Sequence, residues 1–382
     1  MKRKDINQQA FFELLRTGLW GNGNPDIRID GSTDWQEVYQ LAQEQSVQGL
    51  VLQGIDWFKV QSSKFNTPQV LLLQWIGEVQ VIEQRNKEMN AFIAELIEKL
   101  RKNDVDALLV KGQGVAQCYE KPLWRCSGDV DLFLSDSNYE IAKRVLVPLA
   151  SEVETEYVGS KHLGMTIDGW VVELHGSLRV GLPNKINRVL DDIKTDTFNR
   201  GNMRSWMNGR TQVFLLGKEN DIVYVFVHFL NHFYKEGVGL RQICDWCRLM
   251  WMYRDKIDWK KVESRIKEMG LLSEWKAFYA LAVFYLGLPF TVDGLLLDSE
   301  QELERYRRKA DRIMDFILKA GNMGHNRDMS HFSRYPYLIR KCVSMGRRIS
   351  DLINHARIFP LDSLRFFPRI MFNGVRSAIR GE

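Results

Sequence analysis

Residues 128–134 read Gly-Asp-Val-Asp-Leu-Phe-Leu, and this stretch restricts the fold more than any other in the chain. Alternation along a strand sends Asp129 and Asp131 to one side while Val130, Leu132 and Leu134 face a core on the other. Two like charges that close repel one another and resist burial, so a fold that sets them together usually supplies a cation. Carboxylate oxygens are hard donors that suit Mg2+ or Mn2+ together with a substrate phosphate. An Asp-x-Asp pair also arises by chance on solvated edge strands and in turns, so its surroundings decide what it means.

Those surroundings have the texture of a small mixed sheet. Short β-type runs cover 105–110, 129–134, 162–167 and 170–175, with Asp168-Gly169 as a hairpin turn between the last two. Helix patterns cover 113–119 and 138–149. Before the sheet, Phe11, Phe12, Leu15 and Leu19 mark one helix, and Ser32-Thr33-Asp34 is a start signal for another. A longer helical pattern from Pro68 to Lys102 places Leu71, Trp75, Val79, Ile82, Met89, Ile93, Leu96 and Leu100 at three- and four-residue steps. Helical patterns return after residue 218. The expected fold class is α+β: a sheet domain over 103–215, set between helical regions at 1–102 and 216–382.

Three further features bear on the acid pair. In the run 170–175, Val171, Glu173 and His175 share one side, which gives Glu173 the periodicity of a third carboxylate. Upstream, residues 108–114 pass from a strand through Lys111-Gly112-Gln113-Gly114 into a helix, where backbone N–H groups can cradle phosphate and Lys111 adds positive charge. Arg125, four residues before Asp129, suits either a bidentate phosphate contact or an ion pair with an acid.

In their order, the strand with its Lys-Gly-x-Gly turn, the helix with Tyr119, the connector from Pro122 to Arg125, the Asp-x-Asp strand and the Glu-x-His strand resemble the nucleotidyltransferase superfamily of DNA polymerase β type. The nearest likeness is to an uncharacterised bacterial nucleotidyltransferase family with a Lys-Gly turn, an Arg before Asp-x-Asp, and a Glu-Leu-His strand. It covers roughly residues 70–290, because that family also has a His and an Asp in a helical segment after the sheet, here His228 and Asp245. The resemblance implies a polymerase β-like core in which Asp129, Asp131 and Glu173 are catalytic and hold Mg2+ or Mn2+. Lys111, Gly112, Gly114 and Arg125 would contact the phosphates of a nucleoside triphosphate such as ATP, with His175, His228 and Asp245 behind them. The implied reaction moves a nucleoside monophosphate to a hydroxyl of a small molecule, sugar or protein, with Glu173 as metal ligand or base. One departure matters: Gly112-Gln113 or Gly114-Val115 stands where the superfamily usually has Gly-Ser or Gly-Gly. That leaves open a catalytically idle nucleotide-binding or scaffold protein of the same fold.

The net charge of +5 is uneven, with residues 301–382 carrying 17 Lys and Arg against 8 Asp and Glu. A basic carboxyl-terminal tail, Arg357 to Arg380, could contact an anionic surface, and it motivates a nucleic-acid-processing transferase as an alternative. Five unevenly spaced cysteines fit reduced thiols, and Cys244-x-x-Cys247 lacks a second pair at zinc spacing. His228 and His232 share a helix face without the Glu of a zinc-hydrolase motif. No apolar run reaches the roughly 18 residues of a spanning helix, and the amino terminus has no signal core, so a cytoplasmic protein is expected. Repulsion between Asp129 and Asp131 predicts that Asp131→Asn keeps or raises stability without metal.

Overall fold

The computed structural model describes residues 3–23, 29, 32–61, 65–157, 159, 161–235, 237–289, 300–322, 337–366 and 368. Four helices precede the sheet: α1 (Arg3–Trp20), α2 (Trp35–Glu44), α3 (Gln48–Gln61) and α4 (Gln69–Arg101). The sheet segment runs β1 (Ala107–Val110), α5 (Gly112–Ala116), β2 (Val130–Leu134), α6 (Asp136–Leu146), β3 (Glu152–Val153), β4 (His162–Ile167), β5 (Trp170–His175), α7 (Asn184–Phe198), β6 (Met203–Asn208) and β7 (Thr211–Leu216). After it come α8 (Lys218–Lys235), α9 (Leu240–Tyr253), α10 (Trp259–Met269), α11 (Leu272–Leu286), α12 (Glu300–Ala320) and α13 (Tyr337–Ile358). The chain is therefore mixed α+β.

The seven strands lie in the order β3-β4-β5-β2-β1-β7-β6, with β2/β5 and β1/β7 parallel and the other pairs antiparallel. The hairpin turn forms as its sequence requires: Asp168 and Gly169 both adopt positive φ, at 49° and 78°, the conformation of a two-residue type I′ turn. The hairpin β6–β7, absent from the sequence reading, closes through Gly209 at φ 61°.

Two apolar layers cover the sheet. On one face Leu109, Val130, Leu132, Leu134 and Leu174 pack against Met89, Phe92, Ile93, Leu96 and Leu100 of α4 and against α6. The opposite face is covered as well: Leu108, Val110 and Phe133 join a larger core with α8, α9 and α11. Phe133 is fully buried, so β2 is a central strand from end to end and its acids sit where that second layer gives way to polar groups. The same core continues into α1 and α3 at one end of the chain and α12 at the other.

In the described part of the basic tail, Ile358, Phe359 and Phe366 are buried, with Phe366 edge-on to Tyr234 at 4.6 Å between ring centres. Residues 367 and 369–382 lie outside the described residues, and so does most of the expected anionic contact surface. Among the described residues no helix is long and apolar enough to cross a membrane. Cys118, Cys244 and Cys247 are buried free thiols, the last two packed on α9.

The helical layer holds one buried acid with a pH consequence. Burial, then the nearby Asp362, push the Glu274 carboxyl up to about 8, while Tyr234 donates a hydrogen bond to Oε1 at 3.2 Å. The folded protein keeps this proton between about pH 4.5 and 8, where the unfolded chain has released it, so stability falls as pH rises through that window. Glu274→Gln keeps the neutral shape without the titration. Denaturant melts at pH 5.5 and 8.5 should show the variant gaining on the parent by a few kcal/mol at the higher pH; parallel pH profiles would assign the acid no such role.

Candidate active site

The carboxylates meet through strand pairing. β2 and β5 run parallel with Asp131 opposite Glu173, and Asp131 is also opposite Val110 at the end of β1. Asp129 stands just before β2. Carboxylate oxygens of Asp129, Asp131 and Glu173 all lie within 4.8 Å of one another. Asp131 is only 1% exposed, whereas Asp129 and Glu173 are half-buried.

A positive charge reaches this group from the Lys-Gly turn. Lys111 takes φ 58° and Gly112 φ 42°, a backbone shape that L side chains rarely adopt, and the turn brings Lys111 Nζ to 2.7 Å from Asp131 Oδ1. Burial alone would push this ammonium down, but Asp131, Tyr224, Asp129 and Glu173 together hold it above the ordinary lysine range. Asp131 beside it, and then burial, push the Asp129 carboxyl up, against the pull of Lys111. Gly112 lies beside Asp129, near its carbonyl oxygen. Gly114 departs from the expected cleft-facing turn: it is buried, and a Cβ there would come within 2.7 Å of Leu215 Cδ2. Close packing of α5 on β7 accounts for that glycine.

Imidazoles hold the other side. His175 donates from Nε2 to Asp131 Oδ1 at 2.8 Å and lies 3.3 Å from Glu173 Oε2. Burial disfavours the imidazolium, yet those two carboxylates raise the His175 pKa above its usual value. His162 Nε2 is 3.2 Å from the same Glu173 oxygen. Burial pushes the Glu173 carboxyl up, but the two imidazoles and Lys111 outweigh it and hold the group far below the usual carboxylate range. His162 was not among the expected site residues. The signal existed: a two-residue turn at 168–169 pairs 167 with 170, and hence 162 with 175.

His228 is near the same charges, and burial with Lys111 pushes its pKa well down. Its Nε2 is 3.1 Å from that of His232, one turn along α8.

Arg125 and Asp245 meet each other rather than the carboxylates. The guanidinium grips Asp245 through Nε–Oδ1 at 2.7 Å and Nη2–Oδ2 at 2.6 Å, Tyr119 donates to Asp245 Oδ1 at 2.7 Å, and both charged groups are buried. The fork expected at phosphate is thus aimed at α9. Behind this pair, Asn86 of α4 donates to the carbonyls of Leu123 and Arg125, and Gln113 donates to Asn86 and Ser127. These contacts fix the connector that delivers Asp129. Gln113 therefore ties the connector from the position where a turn serine was expected.

Arg241 lies in the first turn of α9. Its Nη1 donates to the Cys126 carbonyl at 2.8 Å, its Nε is buried without a hydrogen-bond partner, and among the described residues no carboxylate pairs with it. Burial and then Arg125 lower its pKa, while Asp245, Cys126 and Asp129 act in the opposite sense.

Residues 31–287 match a protein family described as uncharacterised nucleotidyltransferase. The chain belongs to this family. The match takes in the whole sheet, the Lys111 turn, all three carboxylates, and Arg241 and Asp245 on α9. No curated protein matches the chain, and no solved structure does. Family membership supports nucleotidyl transfer as the general activity, which the acidic cluster and its neighbouring cations suit chemically.

Proposed function

We propose that the chain transfers a nucleoside monophosphate from a nucleoside triphosphate to an acceptor hydroxyl, on a polymerase β-like core, with Asp129, Asp131 and Glu173 holding divalent cations. The observation that carries this reading is the convergence of those three carboxylates within 4.8 Å beside Lys111. Oxygen donors at this spacing fit Mg2+ or Mn2+. When bound, such a cation neutralises phosphate charge and helps align the acceptor. Among the protein's own groups, the imidazoles keep Glu173 ionised, which suits a ligand better than a base. Lys111 and Arg241 offer positive charge to the phosphates, Arg241 taking the part expected of Arg125, whose fork is held by Asp245. The test is incubation of the full chain with each labelled nucleoside triphosphate and Mg2+ or Mn2+, following pyrophosphate release and label on candidate acceptors; no release under any condition would overturn the reading.

Arg241→Gln should raise the KM for the triphosphate about 10- to 100-fold, as expected for loss of a charged hydrogen bond, with the fold retained. Steady-state kinetics check this, and an unchanged KM would remove Arg241 from the phosphate site.

One contact favours a second reading. Lys111 Nζ already sits on Asp131, where an ammonium can neutralise the acids of an idle nucleotide-binding protein. That protein would bind nucleotide yet release no pyrophosphate, and Mg2+ would not raise its melting temperature.

A further inference from the structure

Two groups of donor atoms share Glu173, and only one of them is made of carboxylates alone. The second comprises His162, Glu173 and His175, whose ligand atoms also lie within 4.8 Å of one another. The β4–β5 register places His162 opposite His175, with ring centres 4.8 Å apart, and both Nε2 atoms converge on Glu173 Oε2 at 3.2 and 3.3 Å. These two N···O separations fit a shared cation as well as hydrogen bonds. Donors bound tetrahedrally at about 2.0–2.1 Å lie about 3.3 Å from each other. The side chains of His162, Glu173 and His175 are 25%, 26% and 12% exposed, so an ion from solvent can reach them and find open positions for further ligands.

We propose that His162, Glu173 and His175 form a second cation site, selective for a first-row transition dication such as Zn2+, Mn2+ or Co2+ over Mg2+. Neutral imidazole nitrogen is a good donor to those ions and a poor one to Mg2+, which favours oxygen and retains its water. Binding displaces hydrogen from Nε2 of each ring: a neutral imidazole then carries its proton on Nδ1, and an imidazolium releases one proton to solvent. The competing account makes the same atoms a hydrogen-bond frame that only orients Asp131 and Glu173. The proposal deepens the reading of this cleft as the functional site and rests on it for location, but does not need nucleotidyl transfer to occur.

The test uses the full chain without nucleotide and Co2+ as probe. Parent protein should develop the intense visible bands of low-coordinate Co2+, and these should persist in excess Mg2+. His162→Gln should weaken Co2+ binding at least about 10- to 100-fold and lose the bands, while Asp129→Asn keeps them. Pulsed EPR on parent given substoichiometric Mn2+ in excess Mg2+, which competes for the carboxylate triad, needs no variant and should show hyperfine coupling from directly bound imidazole nitrogen. Oxygen-only ligation in the parent, no Co2+ binding, or unchanged Co2+ affinity in a folded His162→Gln protein would each overturn the site. The two proposals separate cleanly. Imidazole-ligated metal without pyrophosphate release leaves this site standing and removes the transfer reaction, whereas Mg2+-supported transfer with oxygen-only ligation does the reverse.

Discussion

Asp131→Asn should reduce nucleotidyl transfer by at least about 10³-fold, because the substitution deletes one of the charges proposed to hold the cation, an effect worth several kcal/mol of transition-state stabilisation. The same change should lower the thermal stability of the metal-free protein by about 1–3 kcal/mol. This reverses the expectation from sequence, in which relief of Asp129–Asp131 repulsion keeps or raises stability. Asp131 is 1% exposed and receives Lys111 Nζ at 2.7 Å and His175 Nε2 at 2.8 Å. An amide there leaves the Lys111 ammonium and the His175 Nε2 donor without their nearest negative charge, and that loss outweighs the repulsion removed. Calorimetry with and without Mg2+ and nucleotide checks both halves: the parent should gain stability from the pair by mass action and the variant much less. Equal gains in both proteins would take the cation away from Asp131, and a variant more stable than the parent without metal would show that repulsion dominates.

Asp245→Ala should be the most destabilising single change near the site, at about 3–5 kcal/mol, because it strands a buried guanidinium and the hydroxyl of Tyr119. Replacing both charges, as in Arg125→Met with Asp245→Leu, should recover most of the loss, since an apolar pair of similar volume avoids the desolvation of both ions. Urea unfolding of the single and double variants gives the coupling energy directly. A coupling near zero would mean that the pair is not what secures the connector to α9, and would return Arg125 to the list of groups free for phosphate.

What local sequence determined is what short-range physics governs. Strand alternation put Asp129 and Asp131 on one side and Val130, Leu132 and Leu134 on the other. Asp168-Gly169 fixed the β4–β5 hairpin, because two consecutive residues at positive φ match the twist of the strands they join. Register arithmetic from that turn already contained the pairing of His162 with His175. The β6–β7 hairpin was less legible: its turn is Gly209-Arg210 with Asn208 paired to Thr211, one residue beyond the Asn208-Gly209 signal, and β6 alternates exposed and half-buried residues with no clear apolar stripe.

Tertiary structure decided which elements became neighbours. Asp131 faces Glu173 only because β2 and β5 pair in parallel across 42 residues of chain, a choice made by burying both sheet faces at once. The destination of Arg125, 120 residues away on α9, follows from where α8 and α9 pack over the second face, and so does the placement of Arg241 against the Cys126 carbonyl. Gly114 looks from sequence like part of a phosphate turn and proves to be the space that Leu215 requires. Residue type and spacing set each side chain's local direction, whereas its partner, and hence its charge state and role, depends on contacts between distant segments that periodicity does not encode.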